Sequence, residues 1–246
     1  MYRPPQRAAV SELGPASAWI VADGYWSRCD LPVKLAPIFR AALNLLVPPL
    51  CWVCREPAAD RLCESCRMQL PWIEPLAPQR RGSLLQQHWS PLEFEGPARA
   101  LVHALKFHSA TALAGLMAQH LVDALPPRAF PPGAAIVPVP ASRARLRQRG
   151  FDHADLLAGE LSRRTVLPIQ RPLRREASLA LGQRGLGRRD RLSGRGLQVS
   201  LVGRAPLQVV LIDDVCTTGA TLELCAEVLL SGRTEQVSAV TYSVVG

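Results

Sequence analysis

Hydrophobic and polar positions along the chain follow two rhythms. Four stretches repeat apolar residues at helical spacing. Ala98, Leu101, Val102 and Leu105 do so from Gly96-Pro97 to Lys106-Phe107-His108, with proline at a first-turn position. Leu113, Leu116, Met117 and His120 share a face between Thr111 and Leu125, and Pro126-Pro127 ends that pattern. Asp152 stands as an N-cap before Ala154, Leu157, Ala158 and Leu161. Leu222, Cys225, Ala226 and Leu229 form the fourth face, with Gly232 as a C′ stop. Three other stretches read as strands: Ala134 to Pro140 as a short buried one, Val209 to Ile212 as apolar without alternation, and Val237 to Val245 as a β-rich run. Short β-branched runs of this kind predict parallel strands buried on both faces. The last of them is expected to close the sheet. Strands alternating with helices predict an α/β fold with a parallel sheet flanked by helices.

Breaks in these rhythms divide the chain. Residues 1–40 contain Pro4, Pro5, Gly14, Pro15, Pro32 and Pro37, which exclude a long helix. They read as an extension, flexible or weakly packed on the rest. Leu35 to Leu50 is apolar, is interrupted by Arg40 and ends at Pro48-Pro49, which predicts a short helix. Residues 73–90, with Pro75, Pro78, Arg80, Arg81 and Gly82, read as a linker. The expected domains are the extension at 1–40, a small cysteine module at 41–75 and an α/β domain at 91–246.

The cysteines account for the small module. Four of the seven stand as Cys51-x2-Cys54 and Cys63-x2-Cys66. Each knuckle brings two thiolates to one point, and four thiolates complete a tetrahedral Zn2+ site with no open position. Such a site is structural, and binding the metal drives folding of a module too small for its own core. The spacing also argues for a reducing compartment over a disulfide framework. No charge-free apolar run reaches about 18 residues, so no membrane insertion is expected. With no secretory leader in the first residues, the expected location is cytoplasmic. His103, His108 and His120 are scattered and read as surface or packed histidines, and Cys29 as a small apolar residue.

The candidate chemistry follows the second strand. Val209-Val210-Leu211-Ile212 runs into Asp213 and Asp214, then Thr217-Thr218-Gly219-Ala220-Thr221, then a helix. Ligands of open α/β sheets bind beyond the carboxyl ends of the strands. Two adjacent carboxylates there need hydroxyl donors or a cation, and the two hydroxyls of a ribose supply such donors. The turn offers Gly219 for close approach, threonine hydroxyls and the first free N–H groups of a helix, which together suit a phosphate. A diol site beside a phosphate cradle describes a ribose 5-phosphate. This order resembles the phosphoribosyl-pyrophosphate (PRPP) signature of type I phosphoribosyltransferases.

Charge adds two further segments. The net charge is +9, carried mostly by arginine, which suits phosphate-rich ligands. Arg143, Arg145, Arg147 and Arg149 follow the first core strand and read either as a solvated basic loop or as an anion site for a pyrophosphate. Arg171 to Arg195 is rich in arginine and glycine. It reads as a lid that excludes water from a reactive glycosyl cation, or as a nucleic-acid contact loop. Few aromatics accompany these arginines in sequence, which weakens a base-stacking reading.

Taken together, the motifs resemble the ComF family, also called competence protein F or GntX-like, over roughly residues 45 to 246. The resemblance rests on the two knuckles with Leu62-Cys63-x2-Cys66, and on Leu105-Lys106-Phe107, Val137-Pro138-Val139-Pro140 and Arg149-Gly150-Phe151-x2-Ala154. Gln183-x2-Leu186-x4-Arg191 and the acidic pair complete it. The chain departs from the family at Asp152-His153, where Asn-Gln is usual, at Ala180 for threonine and at Gly194 for asparagine. The resemblance implies a type I phosphoribosyltransferase fold with a mobile hood behind a zinc knuckle module. It implies displacement of pyrophosphate from C1 of PRPP, with Mg2+ offsetting the substrate's charge. Asp213 and Asp214 would hold the ribose diol, and Thr217, Thr218, Gly219, Ala220 and Thr221 the 5-phosphate. Arg143, Arg147 and Arg149 are candidates for the pyrophosphate. The family links the chain to natural transformation, with single-stranded DNA and a competence helicase as partners. The alternative is a non-enzymatic competence factor that keeps the fold as a nucleotide sensor or single-strand binder.

Overall fold

The structure is a computed structural model. It describes residues 49–74, 76–79, 83–107, 110–176 and 198–246, and the backbone of Ala18–Ala22 and Tyr25–Cys29. The chain divides into two compact units, 1–49 and 50–246. In the first, β1 (Ala18–Ala22) and β2 (Tyr25–Cys29) pair antiparallel, with Ala18 opposite Cys29 and Ala22 opposite Tyr25. The predicted helix before the first cysteine and most of the Arg/Gly segment, residues 177–195, lie outside the described residues, as does His108.

The second unit is built on a parallel sheet. β3 (His88–Trp89) and β4 (Leu92–Glu93) form one broken edge strand along β9 (Gln236–Val244). β9 pairs with β8 (Gln208–Cys216), and β8 with β5 (Ala135–Pro138). A parallel bridge from Ile136 to Ile169 adds a further edge. The sequence placed β9 as the closing strand, but it lies inside the sheet, between β8 and β3/β4. The outer place is taken by residues 88–93, of which 88–90 read as the tail of a linker. Pro91 and the brevity of the run hide its strand character. Trp89 and Leu92 are fully buried, as an edge strand covered on its faces requires.

Each face of the sheet carries its own helices. Val210 and Ile212 of β8, with Ile136, Val240 and Tyr242, pack in one cluster with residues of α2 (Gly96–Phe107), α3 (Leu113–Ala124) and α5 (His153–Thr165). Val209 and Leu211 point the other way, into a cluster with Leu222, Cys225, Ala226 and Leu229 of α6 (Ala220–Leu230). The unbroken apolar run of β8 is therefore a consequence of burial on both sides. The predicted faces of α2, α5 and α6 are all buried. On α3, Leu113, Met117 and His120 are buried and Leu116 is partly exposed.

The cysteine module has no core of its own. Cys51, Leu62, Cys66 and Leu70 join the cluster on the α2/α3 side. Its short helix α1 (Glu64–Met68) is capped by Cys63, whose thiol accepts from the Cys66 N–H. Antiparallel bridging of Trp72 to Leu92 ties the module to the edge strand. On the opposite side of the sheet, β6 (Leu173–Arg175) pairs antiparallel with β7 (Val199–Leu201). Gly232 does follow α6, but without a left-handed turn. A side chain there would meet Leu201 Cδ2 at 2.6 Å and Leu229 O at 3.3 Å, so a larger residue would have to displace the end of the Leu201 side chain of β7.

Candidate functional site

β8 does not stop at Ile212. Its pairing to β9 continues through Asp213, opposite Thr241, to Cys216, opposite Val244. The acidic pair therefore stands inside the strand, at its end, where one oxygen of each carboxylate and a ring nitrogen of His153 lie within 4.8 Å of one another. Asp214 is buried, at 2 % exposure, on the side of α2 and α5. Lys106 Nζ, from the last turn of α2, lies 2.8 Å from its Oδ1. His153 Nε2, from the first turn of α5, stands 3.2 Å from its Oδ2, at ion-pair distance but not aligned as a hydrogen bond. Burial holds His153 below the ordinary imidazole range. The Asp214 carboxylate pulls it upward, and the Lys106 and Arg149 charges add to the lowering.

Asp213 is half-buried and keeps an open side. Its Oδ1 accepts the Asp214 N–H at 2.8 Å. Burial and the neighbouring Asp214 carboxylate push it up to about 8, against the opposing pull of that N–H and of Lys106. The two carboxylates thus differ in kind. Asp214 has a cation and an imidazole beside it, whereas Asp213 retains the unfavourable cost of burying charge.

Both carboxylates face one cavity of about 380 Å³ at the carboxyl end of β8. Lys106, Arg145, His153 and Arg175 supply its polar wall, with Phe94 and the Val139–Ala141 segment opposite. A smaller pocket of about 40 Å³ is lined by Thr217, Thr218, Gly219, Ala220, Thr221 and Asp213. Gly219, at φ 81°, is the N-cap of α6, a left-handed position that suits glycine. No threonine side chain caps the helix there, so its first N–H groups face the pocket's side of the turn. Ala220 N–H reaches Thr218 Oγ1 only at 3.4 Å. Asp213, Val215, Thr217 and Thr221 line both spaces.

The arginines divide differently from the sequence reading. Residues 143–149 are a helix, α4 (Arg143–Arg149), capped by Ser142 and ended by Gly150 at φ 79°. Alternate residues on a helix fall on opposite sides, so Arg143 and Arg147 share one face and Arg145 and Arg149 another. Arg145 lines the cavity, and Arg143 and Arg147 do not. Arg149 approaches His153 Nδ1 at 3.5 Å and places its guanidinium 4.8 Å from the Phe107 ring centre. Arg175, from β6, also lines the cavity, where burial and the Arg145 guanidinium both work against its charge. Asp152 performs the predicted capping, accepting from the N–H groups of Ala154 and Asp155, and its other oxygen accepts from Ala141 N–H.

Lys106, Arg145, His153 and Arg175 are the site residues that sequence reasoning missed. Lys106 stood in the Leu105-Lys106-Phe107 motif and Arg145 in the basic segment, but neither was assigned to the site, and a lysine in a helix's last turn is explained by the helix dipole alone. His153 did mark itself, as a departure from the family's usual residue.

The second concentration of ligand-type side chains is the four-thiol cluster. The sulfurs of Cys51, Cys54, Cys63 and Cys66 all lie within 4.8 Å of one another, an arrangement compatible with a structural metal site. Cys54 and Cys63 sulfurs are 3.6 Å apart. Burial raises the Cys51 thiol, but N–H groups of Cys63, Cys54 and Val53 outweigh it and bring it down to about 6.

Relatives of known name match most of the chain. The DNA utilization protein YhgH of Salmonella typhi is 31% identical over 212 residues, covering 76% of this chain and 92% of that protein. Competence protein F of Haemophilus influenzae is 28% identical, covering 80% and 91%. Competence protein ComFC of Bacillus subtilis is 27% identical, covering 82% and 80%. The chain belongs to the ComF family. No family model matches it. Among solved structures, a hypoxanthine phosphoribosyltransferase of Staphylococcus aureus is 15% identical, with TM-score 0.31 over 52% of this chain and 61% of that one. A purine phosphoribosyltransferase of Pyrococcus horikoshii is also 15% identical, with TM-score 0.31 over 55% and 82%. These superpositions are partial. This ComF protein has the parallel sheet flanked by helices expected of a type I phosphoribosyltransferase, by its own strand order and register. No helix among its described residues is long and apolar enough to cross a membrane.

Proposed function

We propose that this ComF protein is a PRPP-binding phosphoribosyltransferase that serves DNA uptake. The observation that carries the proposal is the shared wall of the two spaces. Asp213, Thr217 and Thr221 border both the larger cavity and the small pocket at the start of α6. A carboxylate for ribose hydroxyls thus stands next to an N–H and hydroxyl cradle for a 5-phosphate. In the implied reaction a nucleophile forms a bond to C1 as the C1–O bond to pyrophosphate breaks, and the electron pair leaves on pyrophosphate. Arg145 and Arg175 are placed to neutralise that leaving group, with Mg2+ arriving on PRPP. Arg149 orients His153, and Arg143 and Arg147 reach the leaving group only from outside the cavity wall. The names of the relatives, DNA utilization protein and competence protein, support the link to DNA. The four thiolates of residues 41–75 hold Zn2+, and residues 91–246 carry the transferase chemistry, with β3 as a prefix to that domain.

One observation favours a non-catalytic variant of this reading. Asp214 already meets Lys106 and His153, where the family usually has glutamine at 153. A site so occupied binds PRPP as a sensor without turning it over. Calorimetry with PRPP, with and without Mg2+, tests the shared reading. Asp213→Asn should weaken PRPP about tenfold, the loss of one charge-assisted hydrogen bond. Thr218→Val should weaken ribose 5-phosphate and its 2-deoxy analogue equally, by about fivefold. Full PRPP affinity in Asp213→Asn would overturn the diol assignment, and release of pyrophosphate over time separates enzyme from sensor.

A further inference from the structure

A second cavity, of about 400 Å³, lies where the cysteine module meets α3. It shares no lining residue with the carboxylate cavity. The stretch after the module contributes Trp72, Glu74 and Leu76, the end of α3 contributes His120 and Asp123, and α1 contributes Arg67. The charges around this space do not balance. Arg67 is already met by Asp60, at 3.5 Å, and by Glu64, at 3.7 Å. Glu74 has no ion-pair partner among the described residues, and Asp123 meets only a neutral amide, Gln119 Nε2 at 2.7 Å. Burial holds His120 down to about 4, and the Arg67 charge adds to the lowering, so the imidazole is neutral near pH 7 and supplies no cation. Two carboxylates from separate elements thus border an apolar space with their charge unanswered. Trp72, 39% exposed, adds a ring of the type that attracts cations best.

His120 carries the second observation. It is 6% exposed, and the Trp72 ring stands edge-on to it, with centres 5.8 Å apart and planes at 74°. Its Nδ1 lies 3.0 Å from the hydroxyl of Tyr242, on β9. Burial pushes that phenol up, so it keeps its proton. Tyr242 has no other hydrogen-bond partner for its hydroxyl among the described residues, so the hydroxyl donates to Nδ1 and the ring proton of His120 sits on Nε2. Nε2 is buried without a partner. An unpaired buried donor is costly, and an acceptor brought in by a ligand removes that cost.

We infer that this cavity binds a small aromatic primary amine with a hydroxyl at its other end. The ring lies against Trp72 and Leu76, the ammonium group is held by Asp123 and Glu74, and the hydroxyl accepts from His120 Nε2. The same two carboxylates repel phosphate, which sets this site apart from a nucleotide or strand site. It is independent of the PRPP reading and of the carboxylate cavity.

Tyramine is the probe, titrated into the full chain by calorimetry near pH 7. Two analogues separate its features. Phenethylamine lacks only the hydroxyl, and 4-hydroxyphenylacetate carries a carboxylate in place of the aminomethyl group. Tyramine should bind wild type, phenethylamine should bind about fivefold more weakly for want of one hydrogen bond, and the anion should not bind. Glu74→Gln and Asp123→Asn are close in shape to the natural residues and lie at exposed positions, so both variants keep the fold. Each should weaken tyramine about threefold, the scale of an exposed charge pair. Failure of tyramine to bind, binding no tighter than that of phenethylamine, or unchanged affinity in both variants would overturn the assignment.

Discussion

The four-thiol cluster and the carboxylate cavity both crowd ionisable groups into a small volume, and they solve the resulting cost in opposite ways. The thiols come from one short segment, and local backbone N–H groups favour the anion at Cys51. At Cys66, burial and the neighbouring thiols push the group up to about 12. Four thiolates cannot coexist there unaided, and the four sulfurs, all within 4.8 Å of one another, are compatible with a structural metal site that would resolve the conflict. The carboxylates instead draw their countercharges from distant elements. Lys106 comes from α2 and His153 from α5, and both stand at ion-pair distance from Asp214. A cluster neutralised by a metal can be local in sequence. A cluster neutralised by side chains has to be folded first, and Asp213, which has no ion-pair partner among the described residues, keeps an open side toward the cavity.

That contrast can be broken at either end. The largest effect is expected at the thiols. Cys51→Ser with Cys54→Ser should release about one Zn2+ per chain and forfeit on the order of 10 kcal/mol of binding free energy. Metal analysis and limited proteolysis check this together, with new cleavage expected around Leu62 and Leu70. Zinc-free wild-type protein would end the claim. Lys106→Met should act next. It leaves a carboxylate that is 2 % exposed without its cation, while Lys106 itself is 21 % exposed. Chemical denaturation should show a loss of about 3 kcal/mol, the low end for a broken buried pair. Asp214→Asn in that background should recover part of it. An unchanged midpoint would mean that Asp214 relies on His153 alone.

Asp213 gives the smallest effect, because it is only half-buried. In an unfolded chain it titrates near 3.9, as carboxylates ordinarily do; in the fold it is pushed up to about 8. Between those values the folded protein holds a proton that the unfolded chain has released. The associated stability is complete at low pH and is lost as pH rises through about 8. Asp213→Asn should flatten that decline, measured as denaturation midpoints at about pH 5 and about pH 8.5. Parallel curves for variant and wild type would place Asp213 in an ordinary solvated setting.

How much could be read from residues alone follows the same division. Ala154, Leu157, Ala158 and Leu161 announced α5, and Leu222, Cys225, Ala226 and Leu229 announced α6, because one helix face against one sheet is a local pattern. The knuckles announced themselves by spacing. The acidic pair and the threonine turn located the cavity, since both belong to one strand and its exit. Lys106 and Arg175 were illegible, because their partners lie far along the chain. Arg145 was hidden among four arginines until helical geometry sorted them. His88-Trp89 and Leu92-Glu93 failed as a strand for a related reason. An edge of two plus two residues, split by Ser90-Pro91, has no period of its own and is defined by β9.

The inner place of β9 also sets an order of events in folding. Trp89 pairs with Val240, a partner roughly 150 residues further along the chain, and β8 has β9 as its neighbour on that side. The edge strand therefore lacks its place in the parallel sheet until β9 is present, although Leu92 can bridge to Trp72 and His88 to Gln79. Cys51 to Cys66 lie ahead of all of these and need none of them to gather their thiols. The four thiols can thus gather early in a nascent chain, while the sheet around the carboxylate cavity is completed last, when β9 takes its place between β8 and the edge strand.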